Sequence, residues 1–486
     1  MIMIVAFLVP EMFPYAKTGG LADVAGALPR FLSRSGLDVR VFVPFYREVR
    51  EKKLSLRRTV ETAEVECGGK GVPFSALEHQ ADGFTVTFID QAGFFDRDHL
   101  YGTAAGDDPD NGERFAFFTR ASLETMKALD LSPDIVHGHD WQSATVFAYL
   151  RFLYGDDPFF AETRTLFTVH NLAYQGLFDK DILGRVGLPG SLFDPDGLEF
   201  FGQVNYLKSG ILYADAVSTV SPAYSREIQT PEFGFGLDGL LRRRSADLHG
   251  ILNGVDYHDW NPVTDRLIPA RFGPRDLSGK RVCRAELLRM FGLPDVPGSP
   301  VVGMVTRLAG QKGLDIVCEA LEGMLALGVR VVVLGTGERP IEDFLSAARS
   351  RHPSGLGLKV AFDEKVAHMI YAGSDLFLIP SRYEPCGLTQ MYALKYGSIP
   401  VVRATGGLDD TIREFDPASG SGNGFKFSAP SPGDLLDGLR RAVGQYARKE
   451  SWRALVRNAM ASDFSWTRSA GSYLALYRKL VRSGRT

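Results

Sequence analysis

Short β-branched, apolar runs alternate along this chain with longer stretches in which apolar residues recur at helical spacing. That alternation predicts βαβ units and parallel sheets, an α/β fold. In the first half the predicted strands are Met3 to Val9, Val39 to Val43, Thr85 to Ile89, Ile135 to His139, Thr165 to Val169, Ala216 to Val220 and Leu248 to Leu252. The second half offers Val301 to Val305, Val329 to Leu334, Leu358 to Ala361, Leu376 to Ile379 and Ile399 to Arg403. Between the halves, the segment from Asn253-Gly254 to Asn261-Pro262 interrupts the rhythm, and a domain boundary is predicted there. Near the end, Trp466, Ala470, Tyr473, Leu474, Tyr477 and Leu480 predict one buried face of a helix from Trp466 to Val481. Polar loops are predicted from Gly102 to Gly112 and from Gln229 to Asp238, as lids, acceptor contacts or plain surface.

Composition narrows the class. At 486 residues the chain exceeds one ordinary core, and two large α/β domains fit it. It is 45% hydrophobic, yet no apolar run reaches the length of a membrane span. The opening Met1 to Val9 run lacks a basic leader and a small-residue cleavage site, so it reads as a buried strand. A formal charge of -3, with Lys and Arg spread along the chain, argues against a nucleic-acid partner. Cys67, Cys283, Cys318 and Cys386 form no C-x-x-C pair and read as reduced thiols of a cytoplasmic protein.

The candidate chemistry gathers at strand ends, where ligands of open α/β sheets bind. The strand Leu376 to Ile379 runs into Glu384-Pro385-Cys386-Gly387-Leu388-Thr389-Gln390, read as a carboxylate beside a new helix with Pro385 in its first turn. Glu384 can grip hydroxyls while the Leu388 and Thr389 amides hold phosphate, as a sugar diphosphate requires; an ordinary strand-to-helix turn reads the same way. Lys17-Thr18-Gly19-Gly20-Leu21-Ala22-Asp23 follows the first strand, with two glycines and a cation but no P-loop spacing. Arg307 and Lys312 share one loop after Val305, where two cations can neutralise a diphosphate or simply face water. His137-Gly138-His139-Asp140 and His170-Asn171 also end strands. A metal site there is disfavoured on the expectation that alternate strand residues face opposite ways, and hydrogen bonding to a sugar is preferred. Gly335-Thr336-Gly337 lacks the third glycine of a dinucleotide fingerprint.

Taken in order, these segments, together with Asp110 to Phe115, His139-Asp140-Trp141, His170 to Gly176, Pro231 to Gly239 and Asn253-Gly254-Val255-Asp256, resemble the bacterial glycogen synthase and plant starch synthase family, glycosyltransferase family 5. The resemblance spans nearly the whole chain. It implies a GT-B fold: residues 1–255 as an acceptor-side Rossmann-like domain, 256–462 as a nucleotide-sugar domain across a cleft, and 463–486 as a helix crossing back. It implies retaining transfer of glucose from ADP-glucose to the non-reducing end of an α-1,4-glucan, without a metal or other cofactor.

By the same resemblance, Lys17, Gly19 and Gly20 contact the donor with Asp23 nearby, and Arg307 and Lys312 hold the diphosphate. Glu384 holds glucose hydroxyls, helped by amides near Cys386 and Gly387, while Leu388 and Thr389 take the distal phosphate. His170 sits at the reacting glucose, Asp140 near the acceptor, Asn253 near the sugar, and Phe362 against adenine. The stretch Gly106-Asp107-Asp108-Pro109 is less aromatic than the family's loop. Residue chemistry alone does not separate ADP-glucose from UDP-glucose. The rival readings are an inactive glucan-binding scaffold, a metal-dependent hydrolase on His137, His139 and Asp140, and a nicotinamide oxidoreductase.

Overall fold

A computed structural model describes residues 2–103, 106–482 and 484. The chain divides into two compact units, Met1–Gly254 with Trp466–Thr486, and Val255–Ser465.

The first unit is built on a nine-stranded sheet. Its order is Leu248–Gly250, Ala216–Thr219, Arg164–Val169, Ile135–His139, Ile4–Leu8, Asp38–Pro44, Thr85–Asp90, Lys70–Gln80 and Arg57–Cys67. The first seven strands run parallel, and the interior ones are near-continuous apolar runs because helices cover both faces. The last two form an antiparallel edge hairpin that the apolar runs did not predict. Its outer strand is mostly exposed, so polar residues dilute the pattern. The missed signal was Gly68-Gly69, both at positive φ (63° and 72°), between two extended runs.

Connection order places a switch at Ile4–Leu8. The chain continues to Asp38–Pro44 on one side and later returns to Ile135–His139 on the other. The closing helix Trp466–Arg482 belongs to this unit, burying Trp466, Ala470, Tyr473, Leu476, Tyr477 and Leu480; Leu476, not the predicted Leu474, completes the face. A small antiparallel sheet, Leu177–Phe178, Gln203–Asn205 and Glu199–Phe200, lies apart from the large one.

The predicted 102–112 loop is more ordered than expected. Gly102–Thr103 pairs with Gly106–Asp107, and a helix begins at Asn111; Ala104 and Ala105 lie outside the described residues. Asp108 gathers this turn by accepting from Arg97 (3.1 Å), His99 (2.9 Å) and Arg114 (3.0 Å).

The second unit holds a six-stranded, all-parallel sheet in the order Leu356–Val360, Arg330–Gly335, Val301–Val305, Leu376–Ile379, Ile399–Arg403 and Phe425–Phe427. Numbered along the unit, this is 3-2-1-4-5-6, the doubly wound order. Its crevice lies beyond the carboxyl ends of the first and fourth strands. The sixth strand went unpredicted because only three residues are extended.

Candidate active site

In the second unit the switch point lies between Val301–Val305 and Leu376–Ile379, and the loops leaving these strands carry the predicted cations and carboxylate. The Lys312 ammonium donates to both oxygens of Glu384, at 2.9 and 2.7 Å, and the Ser381 hydroxyl donates to Glu384 Oε2 at 2.9 Å. The Lys312 and Glu384 side chains are only 19% and 11% exposed, so the pair is held in a partly dry setting. Arg307 stands exposed on the same loop and donates to Gln311 Oε1 at 3.0 Å.

Close backbone approach fixes these loops. Gly313, at φ 72°, sits so near the fourth strand that a Cβ would lie 2.1 Å from the Pro380 carbonyl. Gly406 and Gly407, after the fifth strand, press on the carboxylate turn: a Cβ on either would fall 2.0 Å from the carbonyl of Glu384 or Cys386, and the Gly407 amide donates to Glu384 O at 3.1 Å. Neither was predicted. Their signal was a Gly-Gly pair directly beyond a strand, the same cue that singled out Gly19 and Gly20.

One local prediction is corrected. The helix after Glu384 runs from Thr389 to Lys395 with Leu388 at its N-cap, so Pro385 lies in the preceding turn rather than in a first helical turn. Gly387 at φ 69° makes that turn, and Gln390 Nε2 ties it by donating to the Cys386 and Gly387 carbonyls at 3.0 and 2.9 Å. The Leu388 and Thr389 amides have no acceptor among the described residues. Cys386 is buried, and Phe362 is 92% exposed beyond the third strand.

The first unit repeats the plan at its own switch point. After Ile4–Leu8 comes Glu11, a buried carboxylate that accepts from the Thr18 hydroxyl (2.8 Å) and from the Thr18 and Gly19 amides. Burial raises its pKa above the ordinary carboxylate range despite those bonds. Sequence reasoning missed Glu11, and its presence changes the predicted Gly19-Gly20 turn, because the Gly19 amide already faces a carboxylate. Lys17 pairs with Asp23 at 2.6 Å. Gly20 opens the helix Gly20–Arg34.

Beyond Ile135–His139, Asp140 takes φ 54° and ψ 179°, a conformation rare for a residue with a side chain. Its Oδ1 accepts the His170 amide at 2.7 Å, which brings these two predicted residues together. Burial pushes the Asp140 carboxyl up to about 7 and the His170 imidazole down to about 3. His139 Nδ1 lies 2.9 Å from His170 Nε2, and His139 Nε2 is buried without a partner among the described residues.

His137 and His139 do not face opposite ways, contrary to the expectation from the sequence. Residues two apart share a strand face, and the two rings lie 4.0 Å apart between centroids, tilted by 38°. Both ring nitrogens of His137 and the Nδ1 of His139 are taken up by hydrogen bonds. His137 bonds Tyr477 OH (2.7 Å) and Thr168 Oγ1 (2.6 Å), and burial holds His137 and His139 well below the usual imidazole pKa. Asn253 is buried after the edge strand Leu248–Gly250, with its Oδ1 unpartnered among the described residues.

Known proteins resemble this chain over nearly its whole length. A family model described as starch synthase catalytic domain matches residues 4–243, and one described as glycosyl transferases group 1 matches residues 290–459. The chain is 47% identical to a glycogen synthase of Koribacter versatilis over 485 residues, 98% of each protein. It is 48% identical to a glycogen synthase of Anaeromyxobacter dehalogenans (strain 2CP-1), over 99% of each. This chain belongs to the glycogen and starch synthase family. The catalytic domain of starch synthase IV from Arabidopsis thaliana, bound to ADP and acarbose, superposes on this synthase with a TM-score of 0.90, 37% identity and 99% coverage of both chains. A sucrose-phosphate synthase from Thermosynechococcus elongatus, at 16% identity and a TM-score of 0.62, shares the fold alone. The synthase is thus a glycosyltransferase of GT-B fold. No helix among its described residues is long and apolar enough to cross a membrane.

Proposed function

We propose that this chain transfers glucose from ADP-glucose to the non-reducing end of an α-1,4-glucan, with retention at the anomeric carbon and release of ADP. The observation that carries the reading is the Lys312–Glu384 pair at the switch point of the second unit. Lys312 spends two of its three N–H donors on Glu384, leaving one for an incoming phosphate oxygen. Glu384 accepts three bonds and keeps lone pairs for sugar hydroxyls.

Breaking the bond from anomeric carbon to phosphate builds negative charge on the departing ADP, and positioned cations stabilise that charge as it forms. Lys312 and Arg307 are assigned this task, with the Leu388 and Thr389 amides on the distal phosphate and Cys386 and Gly387 lining the turn. Phe362 is assigned to adenine, and Lys17, Gly19, Gly20, Asp23 and Asn253 to the glucosyl end. His170 is assigned to the reacting glucose and Asp140 to the acceptor side. Retaining glycosidases place a carboxylate nucleophile opposite the leaving group. Glu384 is committed to Lys312 and to hydroxyls, so the route assigned here is same-face, with the leaving phosphate taking the acceptor's proton.

The partners in this reading are ADP-glucose and glycogen or a related glucan, in the cytoplasm. Labelled ADP-glucose and glycogen, incubated with the protein in chelator, should yield polymer-bound label. Absence of incorporation with or without divalent metal defeats the proposal. Running UDP-glucose beside it decides the donor base, and capture of a covalent glucosyl-protein on the wild type removes the same-face route.

A further inference from the structure

We infer that Glu11 is a positioning residue of the donor site: it holds the Thr18-Gly19-Gly20 turn in the shape that meets ADP-glucose. The role rests on the donor reading above and adds a group that acts on the substrate through the backbone.

The core does little to fix this turn. Thr18 and Gly20 are exposed and Gly19 is half-buried, so no side chain of the three is anchored in the interior. Two adjacent glycines give such a segment wide conformational freedom. Beneath it lies Glu11, only 4% exposed, just past the strand Ile4–Leu8. Its Oε2 accepts from the Thr18 hydroxyl at 2.8 Å, from the Gly19 amide at 3.3 Å and from the Thr18 amide.

Neighbouring parts of the loop are tied elsewhere. Met12 and Ala16 exchange two backbone bonds of 2.9 Å, and the Phe13 amide donates to the Ala22 carbonyl at 3.0 Å. Lys17 is held by Asp23 at 2.6 Å and, through its amide, by Glu48. Thr18 and Gly19 are the part of the loop that Glu11 holds.

Burial disfavours a carboxylate here. It raises the Glu11 pKa above the ordinary range, and the nearby Asp23 carboxylate adds to the rise. An ionised acceptor offers strength in return, since its hydrogen bonds are roughly twice as strong as neutral ones. With the Gly19 amide engaged, the Gly20 amide at the first residue of the helix Gly20–Arg34 has no acceptor among the described residues and stands open to the donor. A glycine turn that became ordered only when the donor arrived would lower the apparent affinity by the fraction of time the turn is competent. Glu11 removes that penalty in advance, so its loss reads in the donor KM rather than in the chemical step.

The test is steady-state kinetics of the full chain, varying ADP-glucose and glycogen in turn, for wild type, Glu11→Ala, Glu11→Gln, Thr18→Val and the double variant Glu11→Ala with Thr18→Val. Glu11→Ala should raise the KM for ADP-glucose about tenfold, with the KM for glycogen unchanged and kcat within about threefold of wild type. Glu11→Gln keeps an acceptor oxygen without the charge and should raise the donor KM about two- to threefold. Thr18→Val removes the hydroxyl donor and should have a similarly small effect, adding nothing in the Glu11→Ala background, where the acceptor is already gone. A purely structural role predicts another pattern, in which fewer folded molecules lower kcat and the melting temperature while both KM values stay in place. That pattern overturns the proposal, as does a wild-type donor KM in Glu11→Ala. Should Glu11→Ala not fold, Glu11→Gln and Thr18→Val decide the matter, and a wild-type donor KM in both overturns it. Every reading is relative to the wild type, so failure of the transferase reading shows separately, as absent incorporation by the wild type.

Discussion

His139 Nδ1 and His170 Nε2 lie 2.9 Å apart, while His139 Nε2 is buried and unpartnered among the described residues. A buried N–H without an acceptor costs more than a buried lone pair without a donor, so the proton of His139 belongs on Nδ1. His170 then accepts at Nε2 and carries its own proton on Nδ1. Nitrogen NMR of ¹⁵N-histidine protein should show His170 as the Nδ1–H tautomer, without titration between about pH 5 and 8. His139→Phe should release that tautomer and lower kcat more than it raises KM; an Nε2–H signal in the wild type refutes the assignment.

Burial holds His137, His139 and His170 below the ordinary imidazole pKa. Their contribution to stability is complete above the unfolded value of about 6.5 and is lost as pH falls below it. Melting temperature should therefore drop from pH 7 to pH 5, and His137→Phe should flatten the slope. Equal slopes in the two proteins would contradict the burial argument.

Asp140 has the opposite sign. Its folded pKa is raised to about 7, so its stabilising contribution is complete below the unfolded value of about 4 and is lost as pH rises through about 7. Asp140→Asn should gain stability relative to wild type from pH 5 to pH 8, by about 2–4 °C if the relief is roughly 1 kcal/mol. Thermal melts at the two pH values decide it.

The two cations of the second unit should separate chemistry from folding. Arg307→Ala and Lys312→Ala should each lower kcat by about 10²–10³, since their interaction grows as ADP departs. Only Lys312→Ala strands the shielded Glu384, so it alone should also lower the melting temperature. Near-normal turnover in either variant would remove its assigned role.

Gly313→Ala should be as damaging as loss of Lys312 itself. A methyl group there meets the Pro380 carbonyl at 2.1 Å and displaces the loop that aims the ammonium. Cys386→Ser, which alters a buried thiol without moving backbone, should cost less than tenfold in kcat.

Much of this was legible because its signals are local. Buried parallel strands advertise themselves as apolar runs, and Lys312 and Glu384 could be placed at strand ends without knowing that they touch. The edge hairpin escaped because its exposed strand is polar, and Glu11 escaped because one acid after a strand carries no pattern. The closeness of His137 and His139 was misjudged through the strand period itself. The approach of Gly236 to Phe200 and Phe201 depends on two turns whose left-handed backbone no side-chain periodicity encodes.

The bond from His137 to Tyr477 spans 340 positions of chain. Emerging from the ribosome, Val255–Ser465 is contiguous and can close as soon as it is made, whereas the earlier-synthesised sheet must wait for the final helix to cover His137. The order of maturation is inverted: the portion translated first is finished last. Stalled chains lacking the terminal helix should yield a protease-resistant fragment from the middle of the sequence, not from its beginning.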